Sequence, residues 1–303
     1  MRICSLLPSG TEILYALGLG DQVVGVSHEC DYPPDALSKL KVVRTHIESA
    51  RASSDEIDDA VRRSLERGES LYRVDGEALA QVRPDLIVTQ ELCEVCAIDE
   101  REVSEALRHL PYRPQVVSLH PHTLEELLAE IPLVGERTGR RREAEQLVAS
   151  LRERIARVRE RLSGIAERPR VFCLEWLKPP MASGHWVPEM VELAGGTEVL
   201  GRAGEPSRYV TGEEVAAARP EVVVLMPCGF SIERTRRELP LLTAQPWWTS
   251  LPAVRRGRVT LVDGPAYFNR SGPRLVDGIE LLAGLLHPDR CGGLIPPGSI
   301  EPL

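Results

Sequence analysis

Aromatic side chains are scarce in this chain: its 303 residues include only 4 Trp, 6 Tyr and 3 Phe, so any place where they gather carries information. Positive charge is also in short supply. Lys and Arg number 37 against 45 Asp and Glu, a formal net charge of −8, and no polybasic block offsets it. That balance excludes a general phosphate-binding surface and with it nucleic acid as a partner. Long apolar runs are missing too. The stretch from Val222 to Met226 falls far short of the roughly 20 residues that span a bilayer, so the chain does not read as membrane-spanning. The seven cysteines are an odd number at low density, which excludes a disulfide scaffold and fits a reducing compartment. Catalytic signatures are absent: there is no Gly-x-Ser-x-Gly elbow, Walker-type loop, Gly-x-Gly-x-x-Gly fingerprint or His-Glu-x-x-His pair. The chain therefore does not read as an enzyme.

At roughly 100 to 200 residues per domain, the length suits two compact units. Short apolar, β-branched runs alternate with helical stretches, the pattern of an α/β protein with two Rossmann-like lobes and mostly parallel sheets. Strands are expected near Arg2 to Leu7, Gln22 to Val26, Leu86 to Thr89, Gln115 to Leu119, Val171 to Glu175, Val222 to Met226 and Val259 to Val262. Between the halves, Leu147, Leu151, Ile155, Val158 and Leu162 fall at spacings of 4, 4, 3 and 4, one stripe of a helix running from Glu136 to Leu162. A helix of that length, about 40 Å at 1.5 Å per residue, makes a rigid spacer whose arginines read as a solvated face. The expected organisation is an N-terminal lobe over 1–134, a backbone helix over 135–166 and a C-terminal lobe with its tail over 167–303.

An internal repeat supports two equivalent lobes. Val74 to Val88 matches Val210 to Val224 at a constant offset of 136, each copy reading as a short helix opened by Gly-Glu, stopped before Arg-Pro and feeding a buried strand. Glu77 and Glu213 coincide in the two copies.

Ligands of open parallel sheets bind outside the carboxyl ends of the strands, so chemistry is sought in the loops that follow them. The first is Pro8-Ser9-Gly10-Thr11-Glu12, where Ser9 or Gly10 can cap a helix whose N-terminus favours an anion or a carbonyl. Ser27-His28-Glu29-Cys30 and Gln90-Glu91-Leu92-Cys93-Glu94-Val95-Cys96 put His28, Cys30, Glu91, Cys93 and Cys96 at one edge of one sheet. Imidazole and thiolate suit zinc or another transition metal, and Cys-x-x-Cys also suits thiol exchange. The spacing does not complete a closed tetrahedral zinc site, however, and packing or capping explains these residues as readily. Cys4 and Cys173 lie within expected strands and read as buried packing. In the second half, Trp176, Trp186, Phe230, Tyr267 and Phe268 gather on or near strand-following loops, and Tyr15 and Tyr32 lie beside those of the first half. Flat side chains in such places suit a large, partly apolar, ring-shaped ligand, while core packing is the alternative for each one.

The segments Arg2 to Gly18, Val24-Gly25-Val26-Ser27, Cys30-Asp31-Tyr32-Pro33-Pro34, Pro84-Asp85-Leu86-Ile87, Arg170-Val171-Phe172, Gly195-Gly196 and Tyr267 to Arg274 occur in an order that resembles one family. It is the helical-backbone, or class III, substrate-binding proteins of ABC importers, nearest their vitamin B12 branch. The resemblance implies two lobes joined by one long rigid helix, with a cobalamin-type corrinoid held in the cleft between them for transport or handover. It implies ligand contacts from Pro8, Ser9, His28, Glu91, Trp176, Tyr267, Phe268, Asn269 and Arg270, with His28 standing where the B12 binders carry an aromatic. It also implies an ABC permease partner docked on Glu77 and Glu213. Cobalamin would be cargo rather than a catalytic cofactor. Alternatives are haem, an iron chelate or a bare metal ion, or a metal- or thiol-dependent enzyme built on His28, Cys30, Cys93 and Cys96. The opening Met1-Arg2-Ile3-Cys4-Ser5-Leu6-Leu7 is too short for the core of a secretion signal, so the sequence as written reads as cytoplasmic; a mature form lacking its leader would open the same way and act in the periplasm or elsewhere outside the cytoplasm.

Overall fold

A computed structural model describes residues 1–47, 52–90, 100–108 and 110–303. The chain divides into two compact units: the first comprises residues 1–52, 56–121 and 125–149, and the second residues 53–55, 122–124 and 150–303.

The first unit is built on a six-stranded sheet. Its strands are β1 (Ile3–Ser5), β2 (Val23–Ser27), β3 (Leu40–Thr45), β4 (Tyr72–Val74), β5 (Leu86–Gln90) and β6 (Gln115–Leu119), in the spatial order β4-β3-β2-β1-β5-β6. Every pairing is parallel except that of β3 with the edge strand β4. The chain thus winds outward from β1 in both directions, which makes the carboxyl end of β1 the place where the winding reverses. Cys4, Val42, Val43, Leu79, Val82 and Ile87 pack together in an apolar core of this unit.

The second unit repeats that plan with an altered margin. Strands β7 (Arg170–Trp176), β8 (Met181–Ala182), β9 (Thr197–Glu198), β10 (Arg208–Tyr209), β11 (Val222–Leu225), β12 (Val259–Val262) and β13 (Ile300–Pro302) form a sheet ordered β10-β8-β7-β11-β12-β13, with β9 paired to β7. The β7-β11-β12 centre and the β9 pairing are parallel, and β8, β10 and β13 add antiparallel margins. Phe172, Leu174, Val223, Leu225 and Leu261 are buried in its core. Cys4 and Cys173 are fully buried in β1 and β7, as small strand residues should be.

The repeat is structural. Helix Gly76–Val82 leads into β5 and helix Gly212–Ala218 into β11, and Arg83 and Arg219 end the two helices in the left-handed region. The correspondence extends beyond the repeated letters. Arg2 donates from its backbone N–H to Asp85 and from Nε to the Val82 carbonyl; Arg170 donates likewise to Glu221 and to the Ala218 carbonyl. Each partner of Arg170 lies 136 residues after the matching partner of Arg2.

The stretch from 136 to 162 is not one helix. Helix Leu124–Thr138 stops at Gly139, whose φ of 70° favours glycine, and a separate 21-residue helix, Arg141–Arg161, follows. At 1.5 Å per residue that second helix is about 32 Å long. Its stripe is buried at Leu151, Ile155, Val158 and Leu162 and half-buried at Leu147. The arginines are not all solvated: Arg154 Nε bonds Glu280 at 3.0 Å and its guanidinium also pairs with Asp277, fastening this helix to helix Leu275–Leu286. Among the described residues no helix is long and apolar enough to cross a membrane.

Candidate functional site

The loop after β1 is tighter than a helix cap alone requires. Helix Pro8–Ala16 begins with Pro8 at its first turn, and its N-cap is Leu7, which offers no capping side chain. Ser9 and Gly10 therefore lie inside the helix rather than capping it, and Ser9 is only 3% exposed. Gly10 is required by packing, since a Cβ there would lie 2.8 Å from Val88 Cγ1 on β5. Pro8 is half-buried at the end of the same turn.

Beyond β2, His28 is partly exposed and its ring is held from two sides. Nδ1 lies 3.2 Å from the Val43 carbonyl, and the ring tilts against Tyr72 at a centroid distance of 5.9 Å. In the Nδ1-protonated tautomer the ring donates to the Val43 carbonyl and carries its lone pair on Nε2, which lies 4.0 Å from the Glu29 carboxylate. Cys30 is fully buried and receives a hydrogen bond from Thr11 Oγ1 at 3.1 Å. Glu91, Cys93 and Cys96 lie outside the described residues. Among the described residues, no three His, Cys, Asp or Glu side chains gather as a metal site would need.

In the second unit, Trp176 ends β7 partly exposed. Its Nε1 donates to the Ser54 carbonyl at 3.1 Å and its ring meets Phe230 at 5.1 Å. Arg234 lies 4.8 Å above the Phe230 ring and pairs with Glu238, which accepts from both the N–H and Oγ of Ser54. Lys178 pairs with Asp55 at 2.7 Å, and that hydrogen bond is the main reason the Asp55 carboxyl is held below its ordinary range. Residues 53–55 are thus bolted to the end of β7, to the loop after it and to helix Ile232–Thr243, a cluster whose members other than Trp176 and Phe230 the sequence reading did not single out.

The loop after β12 starts with Asp263 capping helix Gly264–Tyr267 through the Ala266 N–H at 2.9 Å. Gly264 is pressed against the loop after β11: a Cβ would lie 2.5 Å from the Pro227 carbonyl oxygen. Asn269 Nδ2 donates to the Met226 carbonyl at 3.2 Å, joining the same two loops. Tyr267 and Arg270 are partly exposed, whereas Phe268 is 1% exposed and its carbonyl receives the indole N–H of buried Trp186 at 2.7 Å. Phe268 and Trp186 therefore serve the core, while Trp176, Tyr267, Asn269 and Arg270 keep surface at the strand ends. Glu77 and Glu213 are both exposed in the first turns of their helices.

These loops stand where α/β binding proteins meet their ligands, and the family pattern described as periplasmic binding protein matches residues 3–266. The chain belongs to the periplasmic binding protein family. Members of this family are solute carriers of ABC importers rather than enzymes, which brings a small-molecule ligand and a permease partner with the fold. An ABC transporter substrate-binding lipoprotein of Bacillus subtilis is 27% identical over 292 residues, 95% of this chain and 80% of the relative. The vitamin B12-binding protein of Vibrio cholerae is 26% identical over 282 residues, 92% of this chain and 86% of that protein. A solved structure, the periplasmic vitamin B12 binding protein of Vibrio cholerae, superposes with a TM-score of 0.67 at 24% identity and covers 94% of this chain and 96% of its own. The periplasmic haem-binding protein of Roseiflexus superposes with a TM-score of 0.72 at 23% identity, covering 95% and 98%. At these identities the structural likeness defines the two-lobe class III fold and leaves the ligand to be argued from the chain itself.

Proposed function

We propose that this periplasmic binding protein carries a cobalamin-type corrinoid and delivers it to an ABC permease outside the cytoplasm. The observation that carries the reading is His28: a partly exposed imidazole at the carboxyl end of β2 whose Nδ1 lies 3.2 Å from the Val43 carbonyl, so that in the Nδ1-protonated tautomer Nε2 is the atom offered to a ligand. Such a nitrogen can accept a hydrogen bond from a peripheral amide or coordinate the central cobalt. Vitamin B12-binding relatives matching over most of the chain support the same cargo. Affinity would come from burying ring faces against Trp176 and Tyr267, with Arg270 and Asn269 meeting the polar periphery. Pro8 and Glu91 remain proposed contacts, while Ser9 and Phe268, being nearly fully buried, would act through the shape of their loops. Glu77 and Glu213 are the proposed docking carboxylates for arginines of the permease.

Equilibrium dialysis of the purified protein against cobalamin, haem and a ferric chelate in parallel, read by visible absorbance, tests this proposal. Retention of one cobalamin per chain supports it; stoichiometric retention of haem or the chelate with no cobalamin overturns it.

A further inference from the structure

We propose that His122 and His185 form a two-imidazole site for a late first-row divalent cation such as Ni2+ or Zn2+, distinct from the corrinoid contacts. Both residues belong to the second unit, although 63 positions separate them in sequence. Their ring centroids are 5.9 Å apart, with the planes inclined by 32°. Two imidazoles sharing a tetrahedral ion at about 2.0–2.1 Å have centroids about 5 Å apart, so a shift of about 1 Å brings these rings onto one ion. His122 is exposed.

The two rings are held by a common frame. Leu124, two residues after His122, donates its N–H to Glu189 at 2.8 Å, and Glu189 lies in helix Val187–Leu193, which starts two residues after His185. His185 itself has a left-handed φ of 51°, unusual for a side chain of its size, and is kept there by its own N–H on the Glu205 carbonyl and by the Gly204 N–H on its carbonyl. Gly184 permits the close approach this needs, since a Cβ there would lie 2.4 Å from the Glu205 carbonyl oxygen. The outcome is a ring whose buried Nδ1 has no hydrogen-bond partner among the described residues, next to Ser183, whose buried Oγ also has none. A buried ring nitrogen without a partner costs free energy in the empty protein, and a cation would recover it.

Imidazole suits zinc and nickel, and with only two protein ligands the remaining coordination positions are open to water or to donor atoms of a small molecule.

Calorimetric titration of the full chain with NiCl2 at neutral pH tests the site, using a Cys93→Ser/Cys96→Ser background so that those thiols do not compete. The expected result is one Ni2+ per chain, with affinity falling by about tenfold or more in His122→Ala and in His185→Ala. The ring protons of His122 and His185 should broaden together in NMR spectra when Ni2+ is added. His122 is exposed, so His122→Ala should keep the parent unfolding midpoint, and it decides the matter alone if His185→Ala does not fold. Parent affinity in His122→Ala, or broadening confined to other residues, overturns the proposal.

Discussion

Arg219 lies 136 residues after Arg83, and both end their helices in the left-handed region, with φ of 47° and 43°. The conformation is imposed on a residue type that disfavours it, in both units, immediately before a proline that also stops the helix. Glycine adopts this conformation without a Cβ penalty but loses more freedom on folding, so the net gain is the difference of the two effects. Arg83→Gly and Arg219→Gly should each raise stability by about 0.5–1 kcal/mol in urea unfolding. A loss of stability would show that the exposed guanidinium makes a contact worth more than the strain.

Glu198 should be among the most costly side chains to remove. Its half-buried carboxylate accepts the N–H groups of Cys173, Val199, Leu200 and Gly201, closing the turn after β9. Burial raises its pKa, and these donors oppose the rise. Glu198→Ala leaves the buried Cys173 N–H and three partly buried donors unpaired, at about 1–3 kcal/mol for a buried one, so a loss of about 2 kcal/mol or more is expected in chemical denaturation. A change below about 1 kcal/mol would mean that the turn rearranges around water.

Much of this architecture was legible in the sequence, because continuous β-branched runs such as Gln115–Leu119 and Val259–Val262 became strands with those bounds. Strand β3 was missed since Lys41 and Arg44 interrupt its apolar residues, and β8, β9 and β10 are two residues long, too short for any period to show. Glycine at 139 was the available sign that the central stretch contains two helices. At the site, His28 and Trp176 were visible because they follow strands. Ser54 with Glu238, and Leu124 with Glu189, were not, because these partners are 184 and 65 residues apart and spacing carries no record of such pairs.

Glu130 supplies a pH dependence. Its partly buried carboxyl accepts the His120 N–H, and desolvation, reinforced by Glu126, raises its pKa from 4.5 to about 7. The folded state therefore holds a proton that the unfolded chain gives up, and stability from this group is full below about pH 4.5 and declines as pH rises towards 7. Glu130→Gln, neutral at every pH, should flatten that decline and raise the unfolding temperature at pH 8 relative to the parent. An unchanged slope between pH 4.5 and 7 would contradict the raised pKa.

Glu77 and Glu213 are exposed at helix starts, where a carboxylate gains about 0.3–1 kcal/mol from the helix dipole. Replacing both with Ala should cost no more than about 2 kcal/mol of stability and leave ligand affinity unchanged. Docking predicts a separate effect, loss of ligand-stimulated ATP hydrolysis by the reconstituted permease. Full stimulation by the double variant would remove these carboxylates from the interface.

The most direct measurement is isothermal calorimetry of the apo-protein with cobalamin, comparing the parent with His28→Ala. A corrinoid carrier should show one site with Kd at or below about 1 µM, about −8 kcal/mol, and a clear weakening in His28→Ala. No heat from the parent at cobalamin concentrations far above that value would contradict the corrinoid reading.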